Sequence, residues 1–142
     1  MRISDVLRRK GDLVVTVPPD ESVRTLLAML AEHRVGAMVV SVDGRSVDGI
    51  VSERDVVRHL NSGGEHMLEA TVEQIMTTDV HTCVPGDSVV DLMRTMTDQR
   101  VRHIPVVVDG ALAGIVSIGD VVKNRIDELT DERDQLTAYI SS

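Results

Sequence analysis

The sequence predicts an α/β fold: two tandem βαββα units related by a two-fold pseudosymmetry, followed by a C-terminal helix. Three observations predict it. The chain repeats itself at one nearly constant offset; each copy runs through the same succession of strand-like and helix-like periodicities; and the apolar residues are almost entirely aliphatic. The repeat is read directly from the residues. Thr16 falls on Thr82, Pro19 on Pro85, Ser22-Val23 on Ser88-Val89, and Leu26 on Leu92. In the same register Arg34-Val35 falls on Arg100-Val101, Val40 on Val106, and Asp43-Gly44 on Asp109-Gly110. Once one residue is dropped at the second turn, Gly49-Ile50-Val51-Ser52 matches Gly114-Ile115-Val116-Ser117, and Asp55-Val56-Val57 matches Asp120-Val121-Val122.

Each copy opens on a short extended segment, Val14 to Val17 and Val80 to Val84, which ends near a proline. A helix follows at Ser22 and at Ser88, where serine suits the N-cap because its hydroxyl accepts from a free backbone N–H. Val23, Leu26, Leu27 and Leu30, like Val89, Leu92, Met93 and Met96, step by three and four along one helical face. Two β-branched runs come next, Ala37 to Val42 with Gly49 to Ser52, and Ile104 to Val108 with Leu112 to Ser117. Asp43-Gly44 and Asp109-Gly110 lie between the members of each pair and read as hairpin turns. A second helix opens after Ser52 and after Ser117, again from a hydroxyl. Short helical turns, Ile3 to Leu7 and Val72 to Met76, precede the copies.

These elements divide the chain into 1–61, the first copy with its N-terminal segment; 62–71, a polar linker; 72–126, the second copy; and 127–142, a C-terminal helix. The two copies are expected to form one globular unit. In the tail Ile126, Leu129, Leu136 and Ile140 recur with heptad spacing, interrupted by Arg133. A helix docked on its own domain and a dimerising helix both fit that pattern.

Composition narrows the functional classes. The 142 residues carry 42% hydrophobic and 27% charged side chains, with no Phe, no Trp and one Tyr. The core must therefore come from Val, Ile, Leu, Ala and Met, and methionines such as Met29, Met38, Met76, Met93 and Met96 serve as flexible filler. A net charge of −8 opposes general nucleic-acid binding, which needs a basic face. The single cysteine, Cys83, excludes an internal disulfide, and the scattered histidines have no ligand spacing, so no metal site is expected. The N-terminus lacks the apolar core of a signal peptide, and no run is long enough to span a membrane; a cytoplasmic protein is the expectation. No nucleophile elbow, Walker loop or Gly-x-Gly-x-x-Gly fingerprint is present, so the chain does not read as an enzyme.

The segments Gly49-Ile50-Val51-Ser52-Glu53-Arg54-Asp55-Val56 and Gly114-Ile115-Val116-Ser117-Ile118-Gly119-Asp120-Val121 resemble the signature ending of the CBS domain, the family named for cystathionine β-synthase. Arg102-His103-Ile104-Pro105-Val106-Val107 is similar to that family's middle-strand motif. The resemblance covers about 13–60 and 80–126 and extends to stand-alone pairs of the plant CBSX type.

It implies a regulatory module that binds AMP, with ATP and NAD(H) as further regulatory ligands and no obligatory cofactor. Paired domains of the family also take S-adenosylmethionine, and they commonly assemble as homodimers. By the resemblance, Asp55 and Asp120 hold ribose hydroxyls, Ser52 and Ser117 open anion-facing helices, and Thr16 and Thr82 supply the first-strand hydroxyl. Arg102, His103 and Arg54 reach phosphate. Two mixed clefts are implied: Asp120 and Ser117 with Thr16, Ala37 and Met38; and Asp55, Ser52 and Arg54 with Thr82, Arg102 and Ile104. Gly36-Ala37 stands where the second copy has Arg102-His103, and Gly119 stands where the first has Arg54, so the clefts are expected to be unequal. Physical chemistry is compatible with these roles, since a carboxylate accepts from both hydroxyls of a diol and Arg offers phosphate a planar fork. Ser-x-x-Asp at a helix start is equally a capping box. With no effector domain attached, regulation would act in trans on a partner protein; a ligand-independent dimeric scaffold is the alternative.

Overall fold

The computed structural model describes residues 1–11 and 14–141. In the first copy, β1 (Thr16–Val17) pairs in parallel with β2 (Ala37–Val40), which pairs antiparallel with β3 (Gly49–Ser52). Between them lies α2 (Val23–His33), and α3 (Glu53–Gly63) follows β3 directly. In the second copy α5 (Val89–Gln99) leads to the hairpin of β4 (His103–Val108) and β5 (Ala111–Ser117). The extended segment expected at Val80 to Val84 is reduced to a single bridge: Cys83 N–H donates to the Pro105 carbonyl (3.0 Å), and Val107 N–H donates to the Cys83 carbonyl (2.8 Å).

Local chemistry sets the element ends. The Ser22 and Ser88 hydroxyls accept from Thr25 N–H and Asp91 N–H, capping α2 and α5. Both helices end on an arginine in the left-handed region, Arg34 and Arg100, each with φ of 55°. That conformation costs a non-glycine residue about 1 kcal/mol, and its recurrence at equivalent positions marks it as part of the repeat's turn. The Asp109-Gly110 turn has two positive φ values, 52° and 79°, which match the twist of the flanking strands. The first turn differs from the hairpin expected at Asp43-Gly44. Strand pairing stops at Val40 and Gly49, and residues 41–48 form a loop gathered on the Asp43 carboxylate. Its Oδ1 accepts from Arg45 N–H (2.8 Å), Ser46 N–H (2.8 Å) and the Ser46 hydroxyl (3.0 Å).

Two further expectations change. The stretch expected as a polar linker, 62–71, carries helical turns: α3 runs to Gly63, and Glu65–Glu69 forms a 3₁₀ turn. The tail is not a separate element, because α6 is one helix from Ile118 to Ser141, with no proline to interrupt it. Its first part packs against the body through Val121 and Asn124, which are buried. Beyond it Ile126, Leu129, Leu136 and Ile140 are exposed, so the heptad-spaced stripe is not covered by the body, although Asp127 and Glu128 still pair with Arg9 and the N-terminus.

The helices that precede each copy cross over. In α1 (Ile3–Lys10), Ile3 and Val6 join a core made by Cys83, Val89, Leu92, Met96, Ile104, Val106, Val116 and Val121 of the second copy. In α4 (Val72–Ile75), Val72 and Ile75 join the core of the first copy, with Val17, Leu26, Met38 and Val51. Backbone bonds fix the exchange. Ile3 N–H donates to the Asp87 carbonyl (2.9 Å) and Val72 N–H to the Glu21 carbonyl (2.8 Å). Each copy is therefore completed by a segment that lies outside its own stretch of chain.

Candidate functional site

Both α3 and α6 begin against the middle strand of their own copy. Glu53 N–H donates to the Gly36 carbonyl (3.0 Å), and Ile118 N–H donates to the Arg102 carbonyl (2.8 Å). Gly36 faces the second copy: a Cβ built there would sit 3.5 Å from His103 Cε1 and 3.9 Å from the Glu53 carboxyl carbon. The middle strands thus approach one another through a backbone with no side chain, against an imidazole.

Beside this contact lies a cavity of about 370 Å³, within the size range of small-ligand sites. Three pieces of chain enclose it. The first copy contributes Gly36, Ala37 and the start of α3 with Ser52, Glu53, Arg54, Asp55 and Arg58. The connector contributes Thr77, Asp79, Val80 and His81, and the second copy contributes Arg100 to His103. Thr77 is held on the edge of β3, exchanging backbone bonds with Ile50 at 2.9 Å in each direction.

Three carboxylates, Glu53, Asp55 and Asp79, and four arginines share this space. Asp55 closes a capping box: its Oδ2 accepts from Ser52 N–H (2.8 Å) and from the Ser52 hydroxyl (3.0 Å), and the Ser52 hydroxyl accepts from Asp55 N–H (3.3 Å). Those bonds occupy Oδ2 and leave Oδ1 for another donor. Arg54, Arg58, Arg100 and Arg102 are exposed at the cavity, and none forms an ion pair among the described residues. Elsewhere Arg8, Arg9, Arg24, Arg125 and Arg133 are paired with carboxylates, while Arg2, Arg34, Arg45 and Arg94 form no ion pair among the described residues. In a chain of net charge −8, four guanidinium groups outnumber the three carboxylates around this cavity and give it a local positive balance. His103 titrates below the ordinary histidine value, first because it is buried and then because Lys10 lies close. Near neutral pH it is therefore an uncharged imidazole, able to donate from one nitrogen and accept at the other.

The cavity brings together six of the residues singled out from sequence: Ala37, Ser52, Arg54, Asp55, Arg102 and His103. Ala37 was expected beside Asp120 and instead lines the cavity of Asp55. Thr82 is exposed and does not line it. Ile104 is fully buried in the second core and Met38 is 1% exposed in the first, so neither side chain is presented to a ligand there. Thr16, Ser117 and Asp120 also lie outside it. Asp120 Oδ2 accepts from Ser117 N–H (2.9 Å) and from Lys10 Nζ (2.7 Å). Its carboxyl lies below the usual range: burial raises it, but the Lys10 and Ser117 bonds and the Lys10 charge outweigh that burial.

Sequence reasoning passed over Arg58, Asp79, His81 and Lys10. Only Arg58 carried a local signal, since it stands one helical turn beyond Arg54 and Asp55. Among the described residues no cluster of His, Cys, Asp or Glu is placed to hold a metal ion, and no helix is long and apolar enough to cross a membrane.

Comparison with known proteins follows the same division of the chain. The CBS domain pattern matches residues 3–62 and 72–127. The mitochondrial CBS domain-containing protein CBSX3 of Arabidopsis thaliana is 37% identical over 97% of this chain and 71% of its own length. Among solved structures, a CBS-domain-containing protein from Agrobacterium tumefaciens superposes with a TM-score of 0.85 at 44% identity, covering 88% of this chain and 99% of that one. A CBS domain protein of Pyrobaculum aerophilum, solved in complex with AMP, superposes with a TM-score of 0.73 at 27% identity over 84% of this chain and 89% of its own.

Proposed function

This chain belongs to the CBS domain family, and on that premise we propose that it is a non-catalytic regulatory module that binds an adenine nucleotide in the cavity of Asp55. The observation that carries this reading is the placement, around one cavity between the copies, of a carboxylate with an unused oxygen and four unpaired arginines. Asp55 Oδ1 accepts from a ribose hydroxyl. Arg54, Arg58, Arg100 and Arg102 take the phosphate, where Arg provides two parallel donors. Neutral His103 adds a hydrogen bond without adding charge. AMP is the proposed ligand, as in the Pyrobaculum aerophilum protein; ATP and NAD(H) present the same adenosine-phosphate half and extend it along further arginines.

Such a ligand touches both copies and the connector, and it stabilises whichever arrangement of the three it binds best. A protein partner that distinguishes the arrangements then reads nucleotide level in trans. Titration calorimetry with AMP, ADP, ATP, NADH and S-adenosylmethionine tests the proposal. The expected result is saturable binding of AMP that is lost in Arg102→Ala and Asp55→Ala. Absence of heat and of any thermal shift with all five ligands overturns it.

The exposed stripe on α6 favours a second reading, a homodimeric scaffold that needs no ligand. Val122, Ile126, Leu129, Leu136 and Ile140 are 39%, 57%, 46%, 63% and 80% exposed, and they alternate spacings of four and three apart from Arg133. A second copy fits this face in antiparallel orientation, which sets Arg133 of one chain opposite Leu129 of the other and avoids stacking Arg133 on Arg133. Sedimentation of the full chain and of a form ending at Arg125 separates the readings. Dimers lost on truncation, with nucleotides inert, support the scaffold.

A further inference from the structure

The two copies treat their equivalent carboxylates in opposite ways. Superposing Ile3 and Val6 of α1 on Val72 and Ile75 of α4 sets Leu7 on Met76. The packing repeats that match: Leu7 lies over Gly114, and Met76 lies over Gly49. The same register places Lys10 on Asp79. Asp79 lines the cavity together with Asp55. Lys10 instead meets Asp120. Its Nζ donates to Asp120 Oδ2 at 2.7 Å and to the Ile115 carbonyl at 2.9 Å.

The backbone explains the reach. In the first copy the helix ends at Ile75, and Thr77 lies along β3, donating to the carbonyl of Ile50. In the second copy α1 continues as helix to Lys10. The carbonyl of Ile115, the counterpart of Ile50, is then satisfied by a lysine ammonium. Arg9 adds a second tie from α1 to α6, 3.2 Å from Asp127. An exposed lysine-carboxylate pair contributes little by itself. This one differs in position: the lysine side chain is two-thirds buried, at 33% exposure, and its ammonium sits on the counterpart of the carboxylate that binds ribose in the proposed site.

We propose that Lys10 is a tethered cation that occupies the second cleft at Asp120, so that the chain carries one nucleotide site rather than two. The inference rests on the reading of Asp55 as the ribose ligand, extended to its counterpart. Lys10 neutralises Asp120, so the carboxylate that would accept from a ribose hydroxyl already carries a cation. An AMP molecule entering there must first displace a charge that is covalently attached to the protein and therefore always present.

The experiment is a stoichiometry measurement on the full chain by calorimetry and equilibrium dialysis, with AMP as the probe. Wild type is expected to bind one AMP per chain, a site lost in Asp55→Ala. Lys10→Met is expected to bind two, and Lys10→Met with Asp120→Ala returns to one. Lys10→Gln repeats the test should the methionine variant fail to fold, as judged by circular dichroism. Unchanged stoichiometry in both Lys10 variants overturns the proposal, as does a wild type that binds two with one lost in Asp120→Ala. If wild type binds none and Lys10→Met binds one, the tethered lysine stands and the Asp55 reading falls. If neither binds, both fall.

Discussion

Asp55 has two possible employments, and one set of variants separates them. As a cap it accepts from Ser52 N–H at 2.8 Å and from the Ser52 hydroxyl at 3.0 Å. As a ligand group it offers Oδ1 and a full negative charge. Asp55→Asn keeps a side-chain oxygen for Ser52 N–H and loses the charge at the N-terminus of α3, a term of about 0.5 kcal/mol. The melting temperature should fall by about 2 °C. Asp55→Ala removes the cap as well, about 1 kcal/mol, and should lower melting by about 4 °C.

The affinity ledger runs differently. A hydrogen bond from ribose to a charged acceptor contributes about 1.5–3 kcal/mol, which converts to roughly 10- to 100-fold in Kd. Asp55→Asn retains a weaker neutral acceptor and should lose about tenfold, and Asp55→Ala about 100-fold. Ser52→Ala is the control: it sacrifices capping bonds at similar cost to stability but leaves the carboxylate charged. Calorimetric Kd for AMP, set against the melting temperature of each unliganded variant, gives the readout. If Asp55→Asn and Asp55→Ala melt lower while retaining wild-type Kd, Asp55 is only a cap and the reasoning is refuted.

Three other perturbations have defined outcomes. A Cβ at Gly49 would lie 2.6 Å from Met76 Sδ and 3.0 Å from the Thr77 carbonyl oxygen, whereas one at Gly114 meets only the flexible Leu7 side chain, at 2.7 Å. Gly49→Ala should therefore cost about 1–3 kcal/mol by overpacking, while Gly114→Ala stays within about 1 kcal/mol of wild type because reduced unfolded-state entropy offsets the shift of Leu7; equal urea midpoints would contradict this. The Asp43 carboxyl is held well below the usual range by the backbone N–H groups of Ser46 and Arg45, so it favours the folded state fully above the unfolded carboxylate value of ~3.9. That contribution drains away as pH falls through the lower folded value, and Asp43→Ala should flatten this acid limb in melting curves; an unchanged slope would show the carboxylate to be idle. Cys83 is 5% exposed, and burial, aided by the charge of Asp87, pushes its thiol up to about 12. Thiol reagents at pH 8 should label it only at the rate of unfolding, and rapid labelling of the native protein would show that the core opens there.

What could be read from sequence was what neighbouring residues decide. Ser22 and Ser88 cap because a hydroxyl beside an amphipathic run has an N–H within reach, and Asp109-Gly110 turns because both φ values must be positive. The exchange of α1 and α4 was not legible. Ile3 and Val6 are chemically interchangeable with Val72 and Ile75, and periodicity demands only that each pair be buried, not in which core. The site divided along the same line. Asp55 and Arg54 stood out through their motif, and Arg58 follows from helical spacing. Asp79 and His81 reach the cavity only because Thr77 docks on the edge of β3. Ile104 looked like a ligand residue through its motif, yet strand alternation turns it into the core while His103 faces the cavity. Lys10 was invisible for the strongest reason: its contact with Asp120 exists only once α1 has crossed to the second copy.

That crossing also determines how far an event in the cavity can travel. If each copy were completed by its own preceding helix, a ligand between them would bridge two self-contained bodies joined by a slack connector. Here the connector is taut at both ends. Val72 and Ile75 are buried in the first core, Thr77 is paired with Ile50, and Cys83 is paired with β4, so only the stretch between Thr77 and Cys83 lies between anchored points. Asp79 and His81, within that stretch, line the cavity. A molecule that draws Asp55 toward Arg102 must therefore reposition the connector against two packed cores, and packed cores yield by discrete rearrangement rather than by gradual deformation. The segment that would transmit nucleotide occupancy is thus part of the cavity wall itself, and the crossed helices keep it from absorbing the change.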